Sequence, residues 1–165
     1  MDNSETRRGA DYVIAGAGSA GCVLARRLAQ TGASVILLEA GGPDRTRLVR
    51  KPGMIAIFHN VPALKKRLDW GYYTAPQTSA WGRRIPQPRG RVLGGSGSIN
   101  GMLFVRGHRQ NYDDWAVPGW SYENVLSSFK RMEDWEDGAT DLRGAGGPVK
   151  VTRQKDLTPA SQAFM

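Results

Sequence analysis

DYVIAGAGSAGCVLARRLAQTGASVILLEAGG, residues 11–42, decides the fold. The apolar run of residues 12–15 enters glycines directly, as a buried parallel strand does. A helix is expected over residues 19–31, with Ala20, Leu24 and Leu28 four apart on one face and Gly32 as its stop. Residues 35–38 form a second apolar strand, ended by Gly41, Gly42 and Pro43. Strand, helix and strand within about thirty residues make one βαβ unit and predict an α/β fold.

The glycines of GAGSAG occupy the G-x-G-x-x-G positions as Gly16, Gly18 and Gly21. The first permits a tight strand-to-helix turn, the second lets backbone approach a pyrophosphate, and the third lets helix and strand pack closely. Amides around Ser19 and Ala20 then face phosphate with the helix dipole behind them. Glu39 ends the second strand, 18 residues past Gly21, where a carboxylate accepts hydrogen bonds from a ribose. That acid would repel a 2′-phosphate, which disfavours NADP and leaves NAD and FAD both open.

Glycine supplies 21 of the 165 residues, against an average share of about 7%, and the apolar fraction of 40% lies below the usual range of about 45–50%. Such a mix favours a loop-rich cofactor binder with one ordinary core. The formal charge is +8, and residues 45–91 alone carry eleven Lys or Arg against one acid, Asp69. A segment of that kind attracts phosphates or anionic partners. It has no RNA-binding-sheet signature, zinc-finger spacing or basic helix with heptads, so no specific nucleic-acid partner is expected; a solvated face, or one that covers acidic chain elsewhere, is. Cys22 is the only cysteine, which excludes an internal disulfide and a cysteine metal cluster and fits a reducing, cytoplasmic setting. The N-terminal apolar run is too short for a signal-peptide core or a membrane span.

Beyond Pro43 the pattern turns irregular, with a short apolar run at residues 54–58 and a possible helical turn at residues 63–68. Order returns in NYDDWA and in WSYENVLSSFKRMEDWE, where Ser121 is the expected N-cap and Val125, Phe129 and Met132 share a face. GGPVKVTR alternates as a strand does. Thr158 and Pro159 open a last helix that the sequence leaves after about two turns, which reads as truncation. The organisation expected is a disordered tail over residues 1–10, the βαβ unit 11–42, a basic loop-rich segment 44–91, a glycine loop 90–106 and a helical segment 111–135.

GRVLGGSGSINGMLFVRGHRQNYDDWA, residues 90–116, closely resembles the first signature of the glucose-methanol-choline (GMC) oxidoreductases, flavoproteins that oxidise alcohols. DYVIAGAGSAGCVLARRLAQ, VILLEAGG, DWGYYTAPQ and GGPVKVTR resemble the same family, so the likeness covers almost the whole chain. The resemblance implies an FAD/NAD(P)-binding Rossmann-like domain of GMC type, its N-terminal portion only over residues 11–165, with the substrate domain absent. It implies that Ser19 and Ala20 contact the FAD pyrophosphate and that Glu39 and Ala40 hold the adenosine end. Val92, Gly95, Ser96, Asn100, Gly101, Met102 and Leu103 would approach the ribityl chain and the ring. Ile99 stands where some relatives carry a flavin-linked histidine, so FAD would be held non-covalently. Gly97 stands where many relatives have serine or threonine.

By the same resemblance the parent enzyme moves hydride from a small-molecule alcohol to flavin, and its catalytic base is a histidine near the C-terminus, outside this chain. Hence no catalytic residue is named, and His59 and His108 are expected to be exposed or packing residues. The sequence around Ile99 resembles bacterial alcohol and choline dehydrogenases, although the electron acceptor is unwritten. A non-catalytic remnant that at most binds a dinucleotide, and a fragment of an NAD-dependent oxidoreductase, stay open as alternatives. The acidic cluster Glu133, Asp134, Glu136 and Asp137 is expected to be a solvated helix end with no metal. The five tryptophans read as core or interface contacts.

Overall fold

In the computed structural model, which describes residues 9–51, 53–155 and 157–164, Tyr12–Ala15 (β1) and Val35–Leu38 (β2) pair in parallel, Tyr12 opposite Val35 and Ala15 opposite Leu38. Residues 1–8 of the expected tail, and the side chain of His59, lie outside the described residues. A clasp sets the register: the Asp11 carboxylate accepts from the Ser34 amide and hydroxyl, both at 2.8 Å. Those two bonds, the amide first, hold the Asp11 carboxyl below its ordinary value. Ser19–Gln30 (α1) joins the strands and ends one residue earlier than expected. Thr31 caps it, its hydroxyl donating to the Leu28 carbonyl at 2.7 Å, and Gly32 leaves at φ +88°. β1 and β2 are less buried than their apolar runs predict, with Val13 62% and Leu38 54% exposed. Among the described residues this sheet has two strands, too few to cover both of its faces.

The described chain falls into two compact units, one ending at Leu103 and the other beginning at Phe104. In the first, the segment expected to be loop-rich forms three short helices, Arg47–Arg50 (α2), Met54–Asn60 (α3) and Pro62–Leu68 (α4). Pro62 is the first residue of α4, where its missing N–H costs nothing. Tyr72–Tyr73 (β3) then pairs antiparallel with Pro86–Gln87 (β4). Phe58, Leu68, Val92 and Ile99 are buried as the core, with Val49 and Leu64 packed against them. Helices between the arginines supply most of this core, so the basic segment is amphipathic rather than merely solvated.

In the second unit, His108 caps Arg109–Asp113 (α5), its Nδ1 accepting from the Gln110 amide at 3.2 Å. Ser121 caps Tyr122–Met132 (α6), as the sequence indicates. The helical segment expected through residue 135 stops at Met132, and Glu133–Trp135 (β5) pairs in parallel with Val149–Val151 (β6). Burial of Glu133 forces the change: fully enclosed, it pairs with Arg106 at 2.9 Å and Arg143 at 3.2 Å and accepts from the Gly144 amide at 2.8 Å. Its neighbours are also engaged, Asp134 by the Gly146 amide and Asp137 by Arg153. The acidic cluster is therefore a set of staples from β5 and the turn after it to Arg106 and to the chain on either side of β6, not a solvated helix end. Pro159–Phe164 (α7) follows, with the Thr158 hydroxyl accepting from the Ser161 amide.

Candidate dinucleotide site

The three glycines of the first loop meet three different demands. Gly16 has φ +95°, a conformation that a side chain would strain. Gly21 is buried, and a β-carbon there would lie 2.0 Å from the Gly16 carbonyl oxygen, so only glycine lets α1 lean on the turn. Gly18 is different. Its φ of −75° and ψ of −174° suit any residue, and a β-carbon built on it would meet no atom within 4 Å. Nothing inside the protein demands a glycine there, yet the bare position faces a cleft.

That cleft, of about 880 Å³, is lined by Gly16 and Gly18 of the first loop, by Glu39 and Ala40 just past β2, and by Gly95 and Ser96 from the second loop. Its size falls in the ordinary range for small-molecule sites. Ser19 and Ala20 open α1, where a helix leaves its first amides without intrahelical acceptors and its dipole favours an anion. Backbone contacts join the loops: the Gly94 amide donates to the Ala17 carbonyl at 2.7 Å, and that of Leu93 to the Gly42 carbonyl at 2.9 Å. Gly94 and Gly95 have φ of +91° and +60°, and a β-carbon on Gly95 would lie 2.9 Å from the Gly18 α-carbon. Glycine in the second loop thus allows backbone-to-backbone contact with the first.

Other expected residues take other places. Val92 is fully buried in the core, behind the loop, with its carbonyl accepting from the Gly95 amide. Ile99 is in the same cluster, 4% exposed. Asn100, Gly101, Met102 and Leu103 do not line the cleft; they run exposed at the end of the first unit, Leu103 at 84%. Met102 adopts φ +59°, uncommon for a residue with a side chain, and the Asn100 side-chain oxygen accepts from its amide at 2.8 Å.

Sequence reasoning missed one wall. Trp70, Tyr72 and Arg89 also line the cleft, with the Trp70 and Tyr72 rings stacked 6.0 Å apart and 4° from parallel. Asp69, the sole acid of residues 45–91, builds that wall from beneath: 3% exposed, it accepts from the Gly71 and Arg89 amides at 2.9 and 3.1 Å. The DWGYYTAPQ resemblance marked the stretch without saying what it lined. The tryptophans do not supply the core half of the core-or-interface expectation: Trp70 is 43% exposed and Trp81 87%.

A family model described as GMC oxidoreductase matches residues 10–165. The chain is 45% identical over 161 residues to an oxygen-dependent choline dehydrogenase of Photobacterium profundum, covering 94% of this chain and 28% of the relative. It is 45% identical over 160 residues to one of Rhizobium johnstonii, with the same coverage. Among solved structures, pyridoxine 4-oxidase from Mesorbium loti aligns with a TM-score of 0.83 and 33% identity over 94% of this chain and 31% of that one. A formate oxidase of Aspergillus oryzae aligns with a TM-score of 0.75 and 27% identity, covering 90% of this chain and 27% of the oxidase. The chain thus spans about 28% of the length of the curated relatives it matches.

Proposed function

Since the chain belongs to the GMC oxidoreductase family, we propose that its cleft holds FAD and that it serves an oxidoreductase acting on the CH–OH group of a small-molecule alcohol. Members of the family bind FAD, and this N-terminal portion is the part that binds it. One observation carries the assignment of the cleft: Gly18 is bare where neither its backbone angles nor its neighbours require it, at the mouth of a helix that favours an anion. A pyrophosphate needs that approach. The oxygens of Glu39, at the end of β2, keep acceptor capacity for the ribose of the adenosine end, with Ala40 beside them. The second loop reaches the same cleft through Gly95 and Ser96, a provision that a simple NAD fold does not need. Ser19 and Ala20 would hold the pyrophosphate, and Asn100, Gly101, Met102 and Leu103 the flavin end.

Bound FAD supplies the hydride acceptor; the chain's own residues bind it, orient it and exclude water from its phosphates. Isoleucine at position 99 has no atom able to bond covalently to a flavin, which supports non-covalent binding. Similarity to proteins named choline dehydrogenase favours a choline-like alcohol. A cytoplasmic enzyme fits the single cysteine, and among the described residues no helix is long and apolar enough to cross a membrane. Titration of FAD with the purified chain tests the reading: flavin fluorescence is expected to be quenched to a stoichiometric end-point that excess NAD does not reverse. Quenching absent, or reversed by NAD, would refute it.

A further inference from the structure

Glu39 does something in this structure that ribose recognition does not require. One carboxylate oxygen, Oε2, accepts from the Ala17 amide at 2.8 Å, and the other, Oε1, from the Gly41 amide at 2.9 Å. Ala17 is fully buried, so its N–H has no recourse to water if that acceptor is lost. The Ala17 carbonyl in turn accepts from the Gly94 amide, and Gly42 accepts from that of Leu93. Gly41 lies so close to the second loop that a β-carbon on it would sit 2.2 Å from the Arg91 carbonyl. A closed circuit results: Glu39 to Ala17, across to Gly94 and Leu93, back to Gly42 and Gly41, and so to Glu39. Both glycine-rich loops belong to it.

We propose that Glu39 is a positioning residue that assembles the cleft before any ligand arrives, fixing the two loops as one preformed cradle. The proposal rests on the FAD reading only for the identity of what the cradle receives. An ionised carboxylate suits the task because both partners are donors and it alone offers two acceptors with no hydrogen of its own. Glutamine would set its NH₂ against one of the two amides. Aspartate, one methylene shorter, keeps the local turn to the amide two residues on but falls short of Ala17.

Residue-resolved amide hydrogen exchange on the 165-residue chain, with no FAD added, tests this. Ala17, Gly41 and Gly94 are expected to be protected in the parent. In Glu39→Gln, Ala17 and Gly94 should exchange at least tenfold faster, while the β5 and β6 amides of the second unit stay unchanged. The response of Gly94 is the discriminating one, since that residue does not touch Glu39. Parent-like exchange at Ala17 and Gly94 overturns the proposal. Should Glu39→Gln fail to hold the fold of the first unit, Glu39→Asp carries the test: protection kept at Gly41 and lost at Ala17 is expected, and the same response at both amides overturns it. Flavin titrations separate the two readings. A parent chain with protected loops that binds no FAD refutes the FAD reading alone; one that binds FAD with the loops unprotected refutes the cradle alone.

Discussion

Among the described residues there are two parallel strand pairs, and they are stabilised in different ways. β1 and β2 are apolar, consecutive around α1, and joined at their start by the Asp11 and Ser34 clasp on the surface. β5 and β6 are charged and short, and their register depends on Glu133, a carboxylate wholly removed from water between two arginines. The first pair is encoded by local pattern and tolerates exposure. The second is tied by long-range charge pairing, with Val151 of β6 its one buried apolar residue. Close glycine contacts serve both: Gly21 against Gly16 in the first, and Gly144, whose β-carbon would lie 1.8 Å from the Lys130 carbonyl, in the second.

The contrast breaks most sharply at Glu133. Glu133→Ala leaves Arg106 and Arg143 facing each other uncompensated, and a cost of about 3–5 kcal/mol to the second unit is expected. Urea unfolding followed by amide exchange in β5 and β6 checks it, and the unit should lose its cooperative transition. Next is Gly21→Ala, which pushes a β-carbon into the Gly16 carbonyl and should cost the first unit about 1–3 kcal/mol, read as faster amide exchange in β1 and β2 with β5 and β6 unchanged. Gly18→Ser sharpens the comparison from the other side. Serine is a good N-cap, so stability should stay within about 0.5 kcal/mol of the parent. FAD affinity should nevertheless fall at least tenfold, because the new side chain enters the cleft. The smallest effect is expected at Asp11. Its carboxyl is held below the ordinary 3.8, so its contribution is present above that pH and fades as pH falls through 3.8 toward the lowered native value. Asp11→Asn should therefore lower the urea midpoint slightly at pH 7, by an amount that shrinks as the pH is taken below 3.8.

What the sequence disclosed follows the same division. β1, α1 and β2 were legible almost to the residue, because their periodicity and glycine punctuation are local. The helices of the basic segment were half-hidden: apolar Phe58, Leu64 and Leu68 are spaced among lysines and prolines in helices of seven residues or fewer, too short for a periodic signal to develop. β5 was not legible, since EDW continues a helical pattern and becomes a strand only when Arg106 and Arg143 arrive from distant sequence. In the cleft, glycine spacing and the terminal acid of β2 pointed to Gly16, Gly18 and Glu39. The Trp70, Tyr72 and Arg89 wall was not readable, because it depends on Asp69 fastening two stretches that lie 20 residues apart. The second task of Glu39 was hidden for a similar reason, as spacing gives a carboxylate its position but not its partners.

Trp70 stands half-exposed on that wall, its face against Tyr72 and the Arg91 guanidinium 5.6 Å from its centroid. An indole so placed is a built-in optical gauge. Its emission overlaps flavin absorption, so occupancy of the cleft registers as quenched indole light, and the chain reports its own cargo without any label.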